Sequence, residues 1–584
     1  MALLYRVWRS LAGRAIFLSF FLLLAPLASC GTPQPLQITN LNLGIPANAL
    51  KSPVTGPLPD KTQLHVRFTF KLDPKLLKQA DQQRGQPGQR SQLEGFANKI
   101  GISDATYQKI KDFFSLQGIS LKLSKLRTNL SVDAKASTFA KLLQTKFVLH
   151  SYNGRTFFAP TSAPKLPSFL ANSIDAVTGL DNYSAVPQHD FSMQFNQPPV
   201  ANSQARPGQD CSPLNQTLLP REVAGAYGYS QLWNRGLHGE NMTVNLIEID
   251  GAYKQDVQNY FDCIKFPANR FSVTNIDGSP QEALGESTLD IEMVAGLARS
   301  VNIKVYQTDG SNNSIDVWGN VNDELQQLIS DNVNNNSAGN VVSISLGTAE
   351  GDMTSQDLRA LDSSFQQLTR ILHMTVFVAS GDCGAFTSRR YGDLSVSFPA
   401  SDPWVTAVGG TVLTPNGTQG RANEAVWSDG SNQSSCKNAW GSGGGNSAVF
   451  QRPGWQNATG VNNRYSHNSR QLPDVSASAY ALAVYFQGRW GAVGGTSAAA
   501  PIWAAGLVLV NQGMLQQIHK LANLPSTAQQ FYSVANQSSG TNPYYDVTRG
   551  NNLYYPATPG WDFSSGLGTP NLGDFYQTVV NNFK

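Results

Sequence analysis

From Leu64 to Phe70 apolar and polar residues alternate (Leu64-His65-Val66-Arg67-Phe68-Thr69-Phe70), the period of a strand with one buried face. Helical stretches follow over 74–82 and 104–116, and Ile119-Ser120-Leu121-Lys122-Leu123 alternates again. A helix over 133–145 and a strand over 146–150 complete an α+β pattern that closes near Gly179-Leu180. Residues 192–215, with Pro198, Pro199, Pro207 and Pro213, predict an exposed, turn-rich linker of the kind proteases cut. Past it the pattern changes. Runs at 243–249, 301–307, 341–345 and 375–379 read as buried strands with helical sequence between them. Strands alternating with helices predict a parallel sheet covered on both faces, so this second part is α/β. Upstream, Gly31 to about Asp60 is rich in Pro, Gly and Asn and predicts a tether.

At the N-terminus Arg6, Arg9 and Arg14 precede an uncharged, mostly apolar run from Ala15 to Ser29. A basic start followed by an apolar run too short for a comfortable membrane span is an export signal. It ends in Leu27-Ala28-Ser29-Cys30, which resembles the lipobox of bacterial lipoproteins, where the cysteine thiol accepts diacylglycerol. That resemblance implies a signal peptide over 1–29 and a lipid anchor at Cys30, with the protein facing outward from the cell envelope. In an oxidising compartment Cys211, Cys263, Cys383 and Cys436 are expected to pair. Of the three connectivities, Cys211–Cys263 with Cys383–Cys436 closes the shortest loops. No CxxC or Cys/His cluster suggests zinc.

Composition bounds the reading further. At about 100–200 residues per domain, 584 residues suggest two to four domains. A hydrophobic share of 41%, with 28 Phe, 19 Tyr and 10 Trp, supplies large cores and rules out a disordered chain. The net charge of +3 argues against a nucleic-acid partner, but it hides a division. Residues 31–210 carry 20 basic and 11 acidic side chains, a net of +9, whereas residues 211–584 carry 20 and 29, a net of −9. Opposite charges favour association of the two parts near neutrality. The attraction is expected to weaken below about pH 4–5, as carboxylates protonate.

The most specific chemical signal is Gly494-Gly495-Thr496-Ser497-Ala498-Ala499-Ala500-Pro501, followed by an apolar helix over 502–510. Small residues let Ser497 sit at a helix N-terminus, where backbone N–H groups suit a developing oxyanion. Pro501 has no N–H, so the Ser497 carbonyl loses its usual helical partner. A serine nucleophile needs a base. None of the seven histidines stands in a His-Gly-Thr setting. The carboxylates of Gly285-Glu286-Ser287-Thr288-Leu289-Asp290-Ile291-Glu292-Met293 are better candidates. Glu286 and Asp290 are i,i+4 neighbours on the apolar stripe that continues through Met293 and Leu297, so the pair points inward and shares a proton. Glu292 suits a solvated helix face. In Ser380-Gly381-Asp382-Cys383-Gly384, Asp382 follows a strand end, where α/β sheets bind ligands. Protonated, it donates a hydrogen bond to an oxyanion.

Together these motifs resemble the sedolisin family, the serine-carboxyl peptidases, with a pro-kumamolisin-type activation domain in front. The resemblance extends through Ala226-Tyr227-Gly228, Ser442-Gly443-Gly444-Gly445 and Pro473-Asp474-Val475-Ser476-Ala477. It implies a subtilisin-like doubly wound parallel sheet preceded by an α+β pro-domain. It implies Ser497 as nucleophile, Glu286 as general base and acid, Asp290 as its orienting partner and Asp382 as the oxyanion-stabilising acid. It also implies a structural calcium ion held by the Asp546 and Asp562 side chains and the Val547, Thr558 and Gly560 carbonyls, with Thr558 standing where the family often has glycine. Two further departures are Gly494, where the family often has serine, and Leu346, where some members place a tryptophan. Glu248 matches the glutamate of their extended acid network.

The expected organisation is a signal peptide over 1–29, a tether over 30–61, a pro-domain over 62–191, a processing linker over 192–215 and a peptidase domain over 216–584. The expected activity is hydrolysis of peptide bonds in proteins and peptides at acid pH. The expected protein is a monomer whose own pro-domain inhibits it until the linker is cut, after which the catalytic domain diffuses away. The alternative is a catalytically silent surface lipoprotein that uses the same fold to bind peptides or a partner.

Overall fold

The computed structural model describes residues 37–82, 99–115, 119–187, 192–194, 217–311, 316–333, 339–388, 393–429 and 439–584. The N-terminal unit runs β1 (Ile38–Asn40), β2 (Val54–Pro57), β3 (Gln63–Phe70), α1 (Pro74–Gln82), α2 (Asp104–Ser115), β4 (Leu121–Leu123), β5 (Asn129–Lys135), α3 (Ala136–Leu142), β6 (Phe147–Tyr152), β7 (Arg155–Pro160), β8 (Lys165–Pro167) and β9 (Ile174–Thr178). The alternating segment is β3, second from the end of the sheet β4-β5-β3-β9. Val66, Phe68 and Phe70 pack with Phe114, Leu130 and Phe139. Alternation predicts one dry face, yet Arg67 and Thr69 on the other are also buried, because the second unit packs over them.

Two expectations change in this unit. The tether over 30–61 is, from Ile38 onward, folded: β1 pairs with β8, β2 pairs with β6, and Leu43, Ile45, Ala49 and Leu58 join the core. Its Pro and Gly residues punctuate short edge strands. Gly44, at φ +74°, is the clearest case, since a Cβ there would lie 2.2 Å from Ser355 Oγ of the second unit. The helix over 133–145 is shorter, because Asp133–Lys135 extend β5. Residue-by-residue pairing with β3 outweighs their helical propensity, and α3 starts only at Ala136.

Within the linker, β10 (Ser192–Gln194) is a strand; residues 195–216, with Cys211, lie outside the described residues. The second unit contains β11 (Thr243–Glu248), β12 (Phe271–Asn275), α4 (Glu286–Leu297), β13 (Asn302–Gln307), α5 (Val317–Asn332), β14 (Val341–Ile344), α6 (Ser355–Gln366), β15 (Thr375–Ala379), β16 (Thr406–Pro415), β17 (Arg421–Val426), β18 (Val475–Ser478), β19 (Leu482–Phe486), β20 (Arg489–Gly494) and α7 (Thr496–Ile518). Its eight-stranded sheet runs β12-β13-β11-β14-β15-β16-β17, with β18 beside β16, and only β17 is antiparallel to its neighbour. Val244, Leu246 and Phe377 pack under α4 and α7, while Ile247, Val342, Val376 and Val378 face α5 and α6. A sheet with no solvated face is the reason its strands lack polar alternation. The strand order reverses between β11 and β14, which opens a crevice at their carboxyl ends. α7 is long and apolar enough to cross a membrane, but here it is a buried core helix.

The N-terminal unit docks on the α5–α6 side. Arg67, 2% exposed, donates from Nε to Asp323 and from an Nη to Asn320 (2.6 Å), with Asp316 and Asp277 at 3.5 and 3.6 Å. His65 lies between Asp133 (2.5 Å) and Asp323 (3.2 Å). Ser184 donates to Asp357, Val177 N–H to Gln356 (2.8 Å) and Trp318 Nε1 to the Ala185 carbonyl (2.8 Å). Burial, reinforced by neighbouring acids, pushes Asp277 up to about 6 and Asp357 up to about 7. Asp323 moves the other way, because Arg67 and His65 outweigh its burial.

Candidate active site

Ser497 is the second residue of α7, at the carboxyl edge of the sheet, and is 5% exposed. Gly495 precedes the helix at φ +145°, a conformation that glycine supplies readily. The Ser497 carbonyl, which Pro501 deprives of its helical N–H, lies 3.0 Å from Ser345 Oγ. The same Oγ is 2.6 Å from Asp290 Oδ2. One hydroxyl proton cannot serve two acceptors fully, so a protonated Asp290 donating to Ser345, and Ser345 to the Ser497 carbonyl, satisfies the chain. Burial holds the Asp290 carboxyl well above the usual range, and the Glu286 and Asp250 charges add to that. Ser497 Oγ lies 3.4 Å from the Ser345 carbonyl oxygen.

α4 places Glu286 and Asp290 one turn apart, both fully buried. The helix has no solvated face. Glu292, expected at the surface, is buried and accepts the Tyr485 N–H at 2.9 Å, because α4 is packed between α7 and β19. Glu248, the last residue of β11, is also buried beside Asp290, and burial followed by the Asp290 charge holds its carboxyl well up. Leu346 lines the cleft where the extended network would place a tryptophan.

Asp382 lies on the turn after β15. Its Oδ1 accepts both the Thr496 N–H (2.7 Å) and the Thr496 hydroxyl (2.6 Å), and Thr496 Oγ1 in turn accepts the Gly381 N–H (3.1 Å). The residue immediately before Ser497 therefore grips the candidate oxyanion acid. Cys383 beside it is disulfide-bonded, as is Cys263; their expected partners, Cys436 and Cys211, lie outside the described residues. Ser345, Gly347, Asp382 and Ser497 line one cleft. The fold thus brings the four predicted catalytic residues to one edge and adds Ser345 and Thr496. Position just after a strand, in Ser343-Ile344-Ser345-Leu346-Gly347, is the only signal for Ser345 in the sequence.

Near the C-terminus, Asp546 Oδ2 accepts the Gly560 N–H (2.8 Å) and Asp562 Oδ2 accepts the Thr558 N–H (2.8 Å), so one loop joins both carboxylates. Ser565 Oγ contacts Asp562 at 3.2 Å and the Val547 carbonyl at 3.4 Å. Burial raises Asp546, and raises Asp562 to about 6, so a nearby cation would favour their charged forms. Two carboxylates and carbonyls from tight turns are a hard-oxygen donor set that fits calcium. A separate cluster, His65, Asp277 and Asp323, is grouped closely enough for a metal, but Arg67 already supplies its positive charge.

Residues 53–183 match the pro-kumamolisin activation domain and residues 276–546 the subtilase family. The chain is 29% identical to kumamolisin of Bacillus sp. (strain MN-32) over 507 residues, 82% of this chain and 83% of that one. It is 28% identical to sedolisin of Pseudomonas sp. (strain 101) over 551 residues, 89% and 87% of the two chains. A solved structure of Pseudomonas sedolisin (serine-carboxyl proteinase), complexed with two molecules of pseudo-iodotyrostatin, superposes with a TM-score of 0.52 at 29% identity, covering 63% of this chain and 98% of that one. With an α+β unit matching the pro-kumamolisin activation domain docked on a subtilisin-like sheet matching the subtilase family, and a serine and three acids gathered at one sheet edge, the chain is similar to kumamolisin and to sedolisin over most of its length.

Proposed function

We propose that this chain is the precursor of an acid-acting serine-carboxyl peptidase that hydrolyses proteins and peptides. The linkage of Asp290 and the Ser497 carbonyl through Ser345, beside an Asp382 held by Thr496, carries the reading. Ser497 Oγ bonds to the substrate carbonyl carbon and gives its proton to Glu286. Asp382 donates to the oxyanion. The C–N bond then breaks as Glu286 returns the proton to the leaving amine, and water activated by Glu286 hydrolyses the acyl-enzyme. Carboxylates suit this work at pH 3–5, where an ordinary imidazole is protonated and cannot accept the serine proton. A silent binding protein has no need of a nucleophile and acids in this arrangement. Hydrolysis of a quenched-fluorescence peptide at pH 4 tests the reading, with Ser497→Ala and Glu286→Ala as controls; an inactive parent chain would overturn it.

The reading extends to maturation. β10 pairs antiparallel with β20, Ser192 opposite Gly494, which is three residues before Ser497, so the linker backbone pairs with the strand that leads into the nucleophile's helix. We infer that the enzyme cuts its own linker on acidification. We also infer that it is a monomeric, exported lipoprotein anchored at Cys30, eight residues before β1. Cells brought from pH 7 to 4 are then expected to keep the pro-domain in the membrane fraction and to release the catalytic domain. A Ser497→Ala chain is expected to stay whole, and a Cys30→Ser chain to leave the membrane. Cutting of the pure Ser497→Ala protein would sink self-processing.

Asp546, Asp562 and the Val547, Thr558 and Gly560 carbonyls would hold a calcium ion, whose role is to fix this loop. Saturating calcium at about a hundred times its dissociation constant adds about 2.7 kcal/mol. Chelation at pH 6 is accordingly expected to lower the Tm by several degrees, and Asp562→Ala to abolish that difference. An identical Tm with and without chelator in the parent protein would count against the site.

A further inference from the structure

We propose that Asp250 is the positioning residue for Glu286 and the standing negative charge that sets the pH range of the catalytic carboxyls. This rests on the peptidase reading above. Asp250 follows β11 by two residues and is 2% exposed. Its Oδ2 accepts the N–H groups of Leu284 (2.9 Å) and Gly285 (3.0 Å), and its Oδ1 accepts that of Ser287 (3.0 Å). These amides flank Glu286 on both sides. They are the start of α4, where N–H groups have no helical acceptor. Gly285 reaches this geometry at φ +113°, and Gly251 N–H to the Glu282 carbonyl (2.9 Å) ties the same two loops together. The Glu286 backbone is thus clamped to the end of β11, the strand that carries Glu248.

The same three bonds, at the positive end of a helix, favour the charged form of Asp250. Its charge acts on Glu248 on β11 and on Asp290 on α4; Glu286 acts on the same two, and Glu324 on α5 acts on Glu248. Its charge is among the causes that hold Glu248 and Asp290 in their protonated forms. The buried set therefore keeps a proton at a pH where exposed carboxyls have lost theirs.

Two variants separate position from charge. Asp250→Asn removes the charge and keeps one of the two acceptor oxygens, hence part of the clamp, so the acid limb of its kcat/KM profile is expected to move down by about one pH unit. Asp250→Ala also releases the clamp, and its kcat is expected to fall about 10- to 100-fold with KM little changed. Both are read by peptide hydrolysis from pH 2 to 7 against the parent. An inactive parent refutes the peptidase reading itself, whereas an active parent isolates Asp250. A folded Asp250→Asn protein with the parent's profile overturns the proposal, and so does an Asp250→Ala protein that changes KM alone. An Asp250→Asn chain that does not fold assigns Asp250 to stability and overturns it equally.

Discussion

Replacing Ser497 with alanine is expected to lower kcat/KM for peptide hydrolysis at pH 4 by about 10⁵- to 10⁶-fold, the loss typical of removing the nucleophile from a serine peptidase. Glu286→Gln is expected to approach that loss, because an amide in place of the carboxylate cannot take the serine proton. The two losses should not add, since base and nucleophile act on one proton. Asp382→Asn is expected to cost less, about 10²- to 10³-fold, as the loss of one oxyanion donor. Ser345→Ala breaks the link from Asp290 to the Ser497 carbonyl without touching the reacting atoms, and a drop of about tenfold in kcat is expected. Single-turnover assays with a fluorescent peptide measure all of these. A Ser497→Ala protein within tenfold of the parent would refute the assignment of the nucleophile.

The candidate catalytic residues were legible because each lies in a local pattern with a physical meaning. Small residues before a helix place Ser497 at its N-terminus, an i,i+4 pair joins Glu286 to Asp290, and a strand end presents Asp382. The doubly covered sheet was legible from strands without polar alternation. Ser345, Thr496 and Asp250 were not, because their importance comes from partners 55, 114 and 37 residues away along the chain. Glu292 looked like a surface residue because a helix packed on all sides has no face to betray in its periodicity. The segment from Ile38 to Pro57 looked like a tether because short edge strands and linkers share Pro, Gly and Asn. Asp133–Lys135 were assigned to a helix because only the long-range ladder with β3 makes them a strand.

The separated pro-domain is expected to bind the catalytic unit about 100-fold more tightly at pH 5 than at pH 7, the opposite of what net charge alone suggests. The contact residues decide the sign. In the docked chain burial, the largest cause, holds Asp357 at about 7 and Asp277 at about 6 against Ser184, Arg67 and His65 of the pro-domain, which lower them. With docking as the source of that burial, the complex takes up protons that the free units release. A carboxyl raised in the complex opposes docking fully above its bound pKa, and the opposition fades as the pH falls from that value, here about 7 and about 6, towards the free value of about 4. His65, raised by its hydrogen bond to Asp323 against its own burial, works in the same direction: its contribution is present below about 6.5 and lost above. Only Asp323, held low by Arg67, weakens the contact in acid, and it does so below about pH 4, where a free aspartate gains its proton. Acidification to pH 5 would therefore tighten the grip of the pro-domain, and release would need the linker cut and a further fall to about pH 4 and below, where the Asp323 contact begins to weaken. The measurement uses a Ser497→Ala chain nicked in the linker by an added protease, with dissociation followed at pH 7, 5 and 3. Asp357→Asn is expected to bind more tightly at pH 7 and to flatten the dependence. A dissociation constant that rises from pH 7 to pH 5 would return control of the contact to the +9 and −9 charges of the two parts.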